Sequence, residues 1–161
     1  MILAKLEMLL DVNGINYTHT IHKEAFTAEE VAKAEDVPVS RIAKCIVFFG
    51  EDGYGMAVVP GDRNVDLHEL RELLNQPHLR LAAEEELRKL FPESELGAMP
   101  PIGNHIVLPV FVDSHLAERE TIAFNAGTHS DLVHIKFRDF ERLSGATILP
   151  CAAAVGRRAA D

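Results

Sequence analysis

One hydrophobic segment, Arg41–Phe49, carries a charged residue in its middle and constrains the fold more than any other part of the chain. Its run of apolar and β-branched residues is typical of a buried β-strand. Lys44 interrupts this run, and a lysine amine is almost never fully buried without a partner. The amine of Lys44 therefore reaches solvent at the strand end, pairs with a carboxylate, or lines a pocket.

The composition predicts one globular domain with an acidic surface. The chain has 161 residues and a formal net charge of −9, with 47% hydrophobic and 25% charged residues, which suits a single core. No apolar run is long enough for a membrane span, and the N-terminus lacks the pattern of a signal peptide. Two cysteines without a paired motif fit a reducing, cytoplasmic location. The acidic balance argues against broad, non-specific binding of nucleic acid, but it leaves room for a pocket that takes one RNA end.

Helix and strand signals are mixed along the chain without a regular alternation. Thr27 and Glu30 form the capping-box pattern of a helix start. The strand that contains Lys44 and the segment Tyr54–Val59 flank a glycine turn, which predicts a hairpin. A further strand is expected at His105–Val112. These signals predict an α+β fold with a mixed, strongly curved sheet surrounded by short helices.

The expected domain organisation is simple. Residues 1–146 are predicted to form one domain, because no linker or internal repeat divides them. The alanine-rich residues 147–161 are predicted to form a partly disordered tail.

Three segments are candidates for chemistry, and each also has an ordinary structural explanation. Lys44 is either a lysine whose amine extends into water or a cation held at a cleft. The loop Gly97–Pro101 is either a connection or a stiff loop whose N–H groups hold a carbonyl oxygen. The segment Asn125–His129 is either a hairpin turn or a turn that brings His129 to a pocket.

Metal and nucleophile chemistry have weaker support. Eight histidines are present, but no HExxH, CxxC or aspartate-rich loop accompanies them, so we predict no metal and no cofactor. The sequence has no GxSxG motif, P-loop or dinucleotide fingerprint. A histidine-based metal hydrolase stays open as an alternative.

Taken in order, these motifs resemble the YbaK superfamily, also called the prolyl-tRNA synthetase-associated or editing domain. The resemblance covers roughly Leu3 to Leu143. It rests on a series of short motifs, which are the T-x-x-E helix start at Thr27, the lysine that opens the strand Ala43–Phe48, the GxxxP loop Gly97–Pro101, the segment Phe124–His129, and Asp139 with Phe140.

The resemblance implies a nearly barrel-shaped sheet and a pocket for the aminoacylated terminal adenosine of a tRNA. It also implies an aminoacyl-tRNA deacylase that acts by attack of water on the ester. The residues that it marks as catalytic are Lys44, Gly97 and His129. Those that it marks as substrate-binding are Thr27, Cys45, Pro101 and Gly127.

The resemblance bears less directly on the amino acid that is edited and on the partners of the protein. Cys45 departs from the family, in which Asn or Thr follows the lysine, and His129 matches the alanine-editing branch. The expected substrate is therefore tRNA-Pro that carries alanine or a similarly small residue such as serine or cysteine. A synthetase or elongation factor is a candidate partner, and we expect a monomer or weak dimer. A non-catalytic module that binds a nucleotide or a tRNA end is the alternative.

Overall fold

Helices and strands form a mixed structure, which the computed structural model describes for residues 2–154. The helices are Ile2–Val12 (α1), Ala28–Glu35 (α2), Leu67–Leu73 (α3), Glu84–Leu90 (α4), Ser114–Ala117 (α5) and Phe137–Ser144 (α6), with a 3-10 turn at Val39–Arg41. The strands are Tyr17–Ile21 (β1), Ala43–Gly50 (β2), Gly53–Pro60 (β3), Arg63–Val65 (β4), Arg80–Leu81 (β5), Val110–Asp113 (β6), Thr121–Asn125 (β7), Asp131–Lys136 (β8), Thr147–Leu149 (β9) and Ala152–Ala154 (β10).

The strands of the described residues form three sheets. The largest has the order β5-β2-β3-β6-β9, in which β6 runs parallel to both neighbours and the other pairs are antiparallel. A second, antiparallel sheet has the order β1-β8-β7, and β4 pairs with β10 in a third. The predicted α+β class is confirmed. No closed barrel forms among these strands, so the barrel-like part of the prediction is not confirmed.

The central hairpin of β2 and β3 is buried on both faces. Val47 and Met56 join the main core with the helix α1, whereas Phe48 and Val59 pack on the opposite side in a second cluster with Leu70 of α3. Burial on two faces explains why the segment around Lys44 is almost continuously apolar instead of alternating.

Helix α2 is the element that connects the second sheet to the first. Its Val31 and Ala32 pack in a third cluster with Ala123 of β7, Leu132 of β8 and Ile42 at the entrance to β2. The predicted capping box is confirmed at its start, because the Thr27 side chain accepts from the Glu30 N–H and the Glu30 carboxylate accepts from the Thr27 N–H. The first turn of α2 therefore begins at a defined place beside β2.

Two predicted segments differ from the sequence-based expectation. The strand expected at His105–Val112 begins only at Val110, since Pro109 has no N–H to donate to a ladder. Residues 147–154 of the predicted tail form β9 and β10, so the expected boundary at residue 146 falls inside the largest sheet. Residues 155–161 lie outside the described part of the chain. None of the helices within residues 2–154 is long and apolar enough to cross a lipid bilayer.

A buried carboxylate explains why the C-terminal strands are ordered. Asp113 is completely buried, and its Oδ1 accepts hydrogen bonds from the N–H groups of Cys151 at 3.1 Å and Ala152 at 3.0 Å. Its Oδ2 accepts from the His115 N–H at 3.0 Å. Because a buried carboxylate is costly without donors, these bonds fix the chain that enters β10.

Asp113→Asn is expected to destabilise the fold. The amide replaces one accepting oxygen by a donor that faces N–H groups, which should lower the free energy of unfolding by about 1–3 kcal/mol. Urea unfolding measures this change. Glu118→Gln is the matched control, because Glu118 is exposed and has no side-chain hydrogen bond or ion pair within the described residues. Equal stability of the two variants would contradict the anchoring role.

Candidate active site

A cavity of about 380 Å³ opens between the two larger sheets and is covered on one side by the start of α2. Its wall combines apolar side chains with a cation, a carboxylate and two side-chain amides, as in sites for small polar ligands. The residues that line it include Phe26, Thr27, Glu29, Lys44, Cys45, Asn64, Gly97, Met99 and Asn125.

The cavity exists because two strands meet at one point and then separate. Ile42, just before β2, forms a parallel bridge with Ala123 of β7, and no other bridge joins these two strands within residues 2–154. Beyond it, β2 continues beside β3 and β7 beside β8. Lys44 and Asn125 therefore stand just past the junction, where the backbones part.

Lys44 occupies this position as a half-buried cation. Its amine makes no hydrogen bond and no ion pair with the described residues. Desolvation by the surrounding wall lowers the pKa of Lys44, and the charges of Glu29 and Asp62 partly offset that effect. Of the three alternatives that the sequence left open, the structure favours a lysine that lines a pocket.

Cys45 lines the same cavity but is unsuited to act as a nucleophile. Burial raises the pKa of its thiol to about 12, and the reactive form of cysteine is the thiolate. Cys45 therefore contributes its volume and its apolar surface to the wall.

Gly97 brings a free backbone donor to the opposite wall of the cavity. Its φ angle is +84°, a conformation that side-chain-bearing residues rarely adopt. The Gly97 N–H donates to no acceptor among the described residues. The predicted role of this N–H in holding a carbonyl oxygen is therefore compatible with the geometry.

The loop around Gly97 is held by the turn that follows β7. The Glu95 N–H donates to the Gly127 carbonyl at 2.8 Å, and the Gly127 N–H donates to the Ala98 carbonyl at 2.9 Å. Gly127 has φ +97°, and a Cβ on it would overlap Ile2 of α1. Gly127 thus supports the loop from behind and does not line the cavity, although the sequence predicts that it binds substrate.

His129 also lies behind the cavity wall. Its Nε2 bonds to the Leu96 carbonyl at 2.9 Å, and its N–H donates to the Glu95 carboxylate at 2.7 Å. Its Cε1 would lie 3.7 Å from a Cβ on Gly97, so the ring is next to the loop. His129 is absent from the cavity lining formed by the described residues. The structure therefore brings it next to Gly97 but not into the wall of the cavity that contains Lys44.

Thr27 and Pro101, which the sequence also predicts to bind substrate, line two different cavities. Thr27 lines the cavity while its hydroxyl caps α2, accepting from the Glu30 N–H at 3.1 Å. Pro101 lines a separate, more apolar cavity of about 400 Å³ between α1 and the segment 101–108. The chain turns at Met99 from one cavity to the other, and so the second proline of the loop does not reach the candidate site.

Several residues of the cavity wall were not among the predicted site residues, and Asn125 and Phe26 are the most informative of them. Asn125 lines the cavity, and its Oδ1 is closed off from solvent without a hydrogen-bond partner in the described structure. Phe26 stands at the cavity with 65% of its surface exposed. Asn125 is the first residue of the NAGTH segment that the sequence marked, and Phe26 directly precedes the capping box at Thr27, so their positions in these motifs were the available signal.

No group of three or more histidine, cysteine, aspartate or glutamate side chains in residues 2–154 is arranged to hold a metal ion. The eight histidines are distributed among separate contacts. His19 bonds to Asp131 at 2.7 Å, and His134 lies 3.4 Å from Glu35.

Comparison with known proteins shows that the chain is similar to proteins whose names refer to aminoacyl-tRNA editing. A family described as the aminoacyl-tRNA editing domain matches residues 22–143. A prolyl-tRNA editing protein ProX from Acetoanaerobium sticklandii is 27% identical over 148 residues, which cover 88% of this chain and 87% of that protein. A crystal structure of a proposed trans-editing enzyme for prolyl-tRNA synthetase superposes with a TM-score of 0.84 at 27% identity, covering 95% of this chain and 98% of the other.

Larger enzymes share part of the sequence. A proline–tRNA ligase from Thermosipho africanus is 39% identical over 77 residues. That match covers 48% of this chain and 14% of the ligase, so the chain spans a small part of the ligases that it matches.

The contacts of His129 predict its tautomer. Because the Leu96 carbonyl can only accept, Nε2 carries the proton in the neutral ring, and Nδ1, which is buried without a partner in the described structure, is then the bare nitrogen. Long-range ¹H–¹⁵N spectra at about pH 8, where an ordinary imidazole is neutral, should show a protonated Nε2. The exposed His68 serves as an internal reference. A protonated Nδ1 would contradict the contact with the loop.

Proposed function

Because the chain belongs to the aminoacyl-tRNA editing domain family, we propose that it is a trans-editing hydrolase that removes a wrongly attached amino acid from tRNA. The observation that carries the proposal is the presence of an unpaired cation, Lys44, and a free backbone donor, Gly97 N–H, in the wall of one cavity. Such a pair suits an ester whose carbonyl gains negative charge beside a polyanionic nucleic acid.

In the proposed reaction, water attacks the carbonyl carbon of the aminoacyl ester. The Gly97 N–H, which has no acceptor among the described residues, donates to the oxyanion that forms. The bond between the carbonyl carbon and the ribose oxygen then breaks, and the proton given up by the attacking water passes to that oxygen, which leaves as a free ribose hydroxyl beside the released amino acid. The reaction needs no protein nucleophile and no metal. Cys45, whose pKa is raised to about 12 by burial, stays a thiol throughout.

Lys44 is proposed to bind the nucleotide end of the substrate. A half-buried ammonium with no intramolecular partner gains more from a phosphate or a developing alkoxide than an exposed one, since water screens it less. Desolvation lowers the pKa of Lys44, so the amine is more easily deprotonated than an exposed lysine. Binding of an anion would favour its charged form and oppose the effect of desolvation.

His129 is proposed to act through the loop rather than on the substrate. By donating from Nε2 to the Leu96 carbonyl, it fixes the peptide unit immediately before Gly97. It is therefore a positioning residue for the Gly97 N–H, together with the turn contacts of Gly127. Thr27 is proposed to contact the substrate at the cavity mouth, whereas the position of Pro101 beside another cavity gives no support to its predicted role in binding.

Selection among amino acids is proposed to depend on cavity size. A hydrophobic pocket separates neighbours that differ by one methylene only about 10–200-fold, and a second site that admits the smaller residue adds to that discrimination. Cys45 and Met99 line the cavity together with Gly97, and their side chains are proposed to limit the edited residue to alanine, serine or cysteine. The relatives named for prolyl-tRNA editing make tRNA-Pro the proposed carrier. A synthetase or an elongation factor is the proposed partner for delivery, since the protein is acidic.

A deacylation panel tests the function. Alanyl-, seryl- and cysteinyl-tRNA-Pro are incubated with the protein, and the remaining ester is measured against buffer. Hydrolysis of at least one substrate is expected. Tight binding of an uncleavable amide analogue of the aminoacylated end without any hydrolysis would instead identify a non-catalytic binding module, and activity lost to a chelator would identify a metal hydrolase.

Lys44→Ala is expected to lower kcat/KM for deacylation on the order of 100-fold, because it removes the unpaired cation from the cavity. Lys44→Arg should retain part of the activity, because the charge is kept. Lys33→Ala is the matched control, since Lys33 is an exposed lysine of α2 outside the cavity lining. Full activity of Lys44→Ala, or an equal loss in Lys33→Ala, would overturn the role of Lys44.

Gly97→Ala is expected to reduce kcat on the order of 100-fold, because a side chain at φ +84° strains the backbone and turns the N–H away from the oxyanion. Gly145→Ala is the control. Gly145 has φ +64° and nothing near its missing Cβ, so it carries similar strain at the end of α6. Single-turnover rates and thermal unfolding are measured for both. A comparable loss of rate in both variants would mean that strain alone, and not the donor, causes the effect.

A further inference from the structure

Phe26 is an exposed aromatic residue whose position the core does not explain. With 65% of its surface exposed, it gives up most of the burial that a phenylalanine ring normally gains. A hydrophobic residue just before a helix cap usually packs on the first turns of that helix. Phe26 instead stands at the edge of the cavity that contains Lys44 and Gly97.

The Phe26 ring is held in place by His129. Their ring centroids are 4.7 Å apart, with planes tilted by 46°. His129 is itself fixed by bonds to Glu95 and to the Leu96 carbonyl. An aromatic side chain supported in this way loses little conformational entropy when a ligand packs on it.

The size of the cavity limits what else the substrate can place there. At about 380 Å³ it is near the lower end of the 300–1,000 Å³ typical of ligand sites. Under the proposed function, an aminoacyl group near Gly97 and the ribose that carries it would fill this space, with the phosphate toward Lys44. This placement leaves the rim, where Phe26 is exposed, for the base of the same nucleotide.

We propose that Phe26 is the stacking platform for the terminal adenine base of the aminoacyl-tRNA, an inference that rests on the proposed function. Stacking of a base on an aromatic ring does not require positive charge. It therefore supplies RNA affinity to a protein with a formal net charge of −9, for which phosphate contacts alone are unfavourable. The support of the ring by His129 links binding of the base to the loop that carries Gly97.

Steady-state deacylation by Phe26 variants tests the stacking. Phe26→Ala and Phe26→Leu should raise KM by about 5- to 100-fold, with a much smaller change in kcat, and Phe26→Tyr should restore most of the loss. The increase should be similar at low and high salt, unlike the effect of Lys44→Ala. A leucine variant equal to the wild type would overturn the proposal, as would an alanine variant that lowers kcat without raising KM, because the ring would then only support His129.

A binding measurement that does not depend on activity separates this inference from the proposed function. Calorimetric titration with AMP and with ribose 5-phosphate should show tighter binding of AMP to the wild type, and Phe26→Ala should abolish the difference. If the protein deacylates tRNA but does not distinguish the two ligands, the stacking proposal fails alone. If it distinguishes them but hydrolyses no aminoacyl-tRNA, the proposed function fails and the base site stands.

Discussion

The candidate site depends on the single backbone bridge between Ile42 and Ala123 that joins the two larger sheets within the described residues. It brings the start of β2 and the end of β7 together, and the separation of the strands beyond it creates a space that neither sheet has alone. Apolar packing of α2 on both sides of the bridge holds the sheets in this arrangement. The polar residues of the wall therefore take their positions from a junction that is itself almost entirely apolar.

A second constraint lies in two glycines that support each other. Gly97 lines the cavity with a positive φ, and the absence of a Cβ on Gly127 lets the supporting turn approach Ile2 of α1 closely. The loop and the turn are connected by hydrogen bonds from the Glu95 N–H to Gly127, from the Gly127 N–H to Ala98 and from the His129 N–H to the Glu95 carboxylate. His129, which the family resemblance marks as catalytic, contacts this loop through Glu95 and Leu96, and its ring also packs against Phe26.

The sequence predicted best those features that short-range chemistry determines. The capping box at Thr27, the hairpin around the Gly50–Gly53 turn and the α+β class followed from residues near one another in the chain. The features that it missed depend on distant partners. The strand β10 requires a buried carboxylate from β6, and no local signal shows that Asn125 is left without a partner or that Phe26 stays exposed. Grouping Lys44, Thr27, Cys45 and Gly97 in one cavity required the family resemblance, because spacing alone left each with an ordinary explanation.

The C-terminal strand β10 limits how far the domain can be shortened. It pairs with β4, where Ala153 lies opposite Asn64, a residue of the cavity wall. A version of the protein trimmed to the family-matched segment would keep Lys44, Gly97 and His129 yet leave the edge of β4 unpaired. A segment that contains all the motifs is therefore still too short to preserve the shape of the cavity.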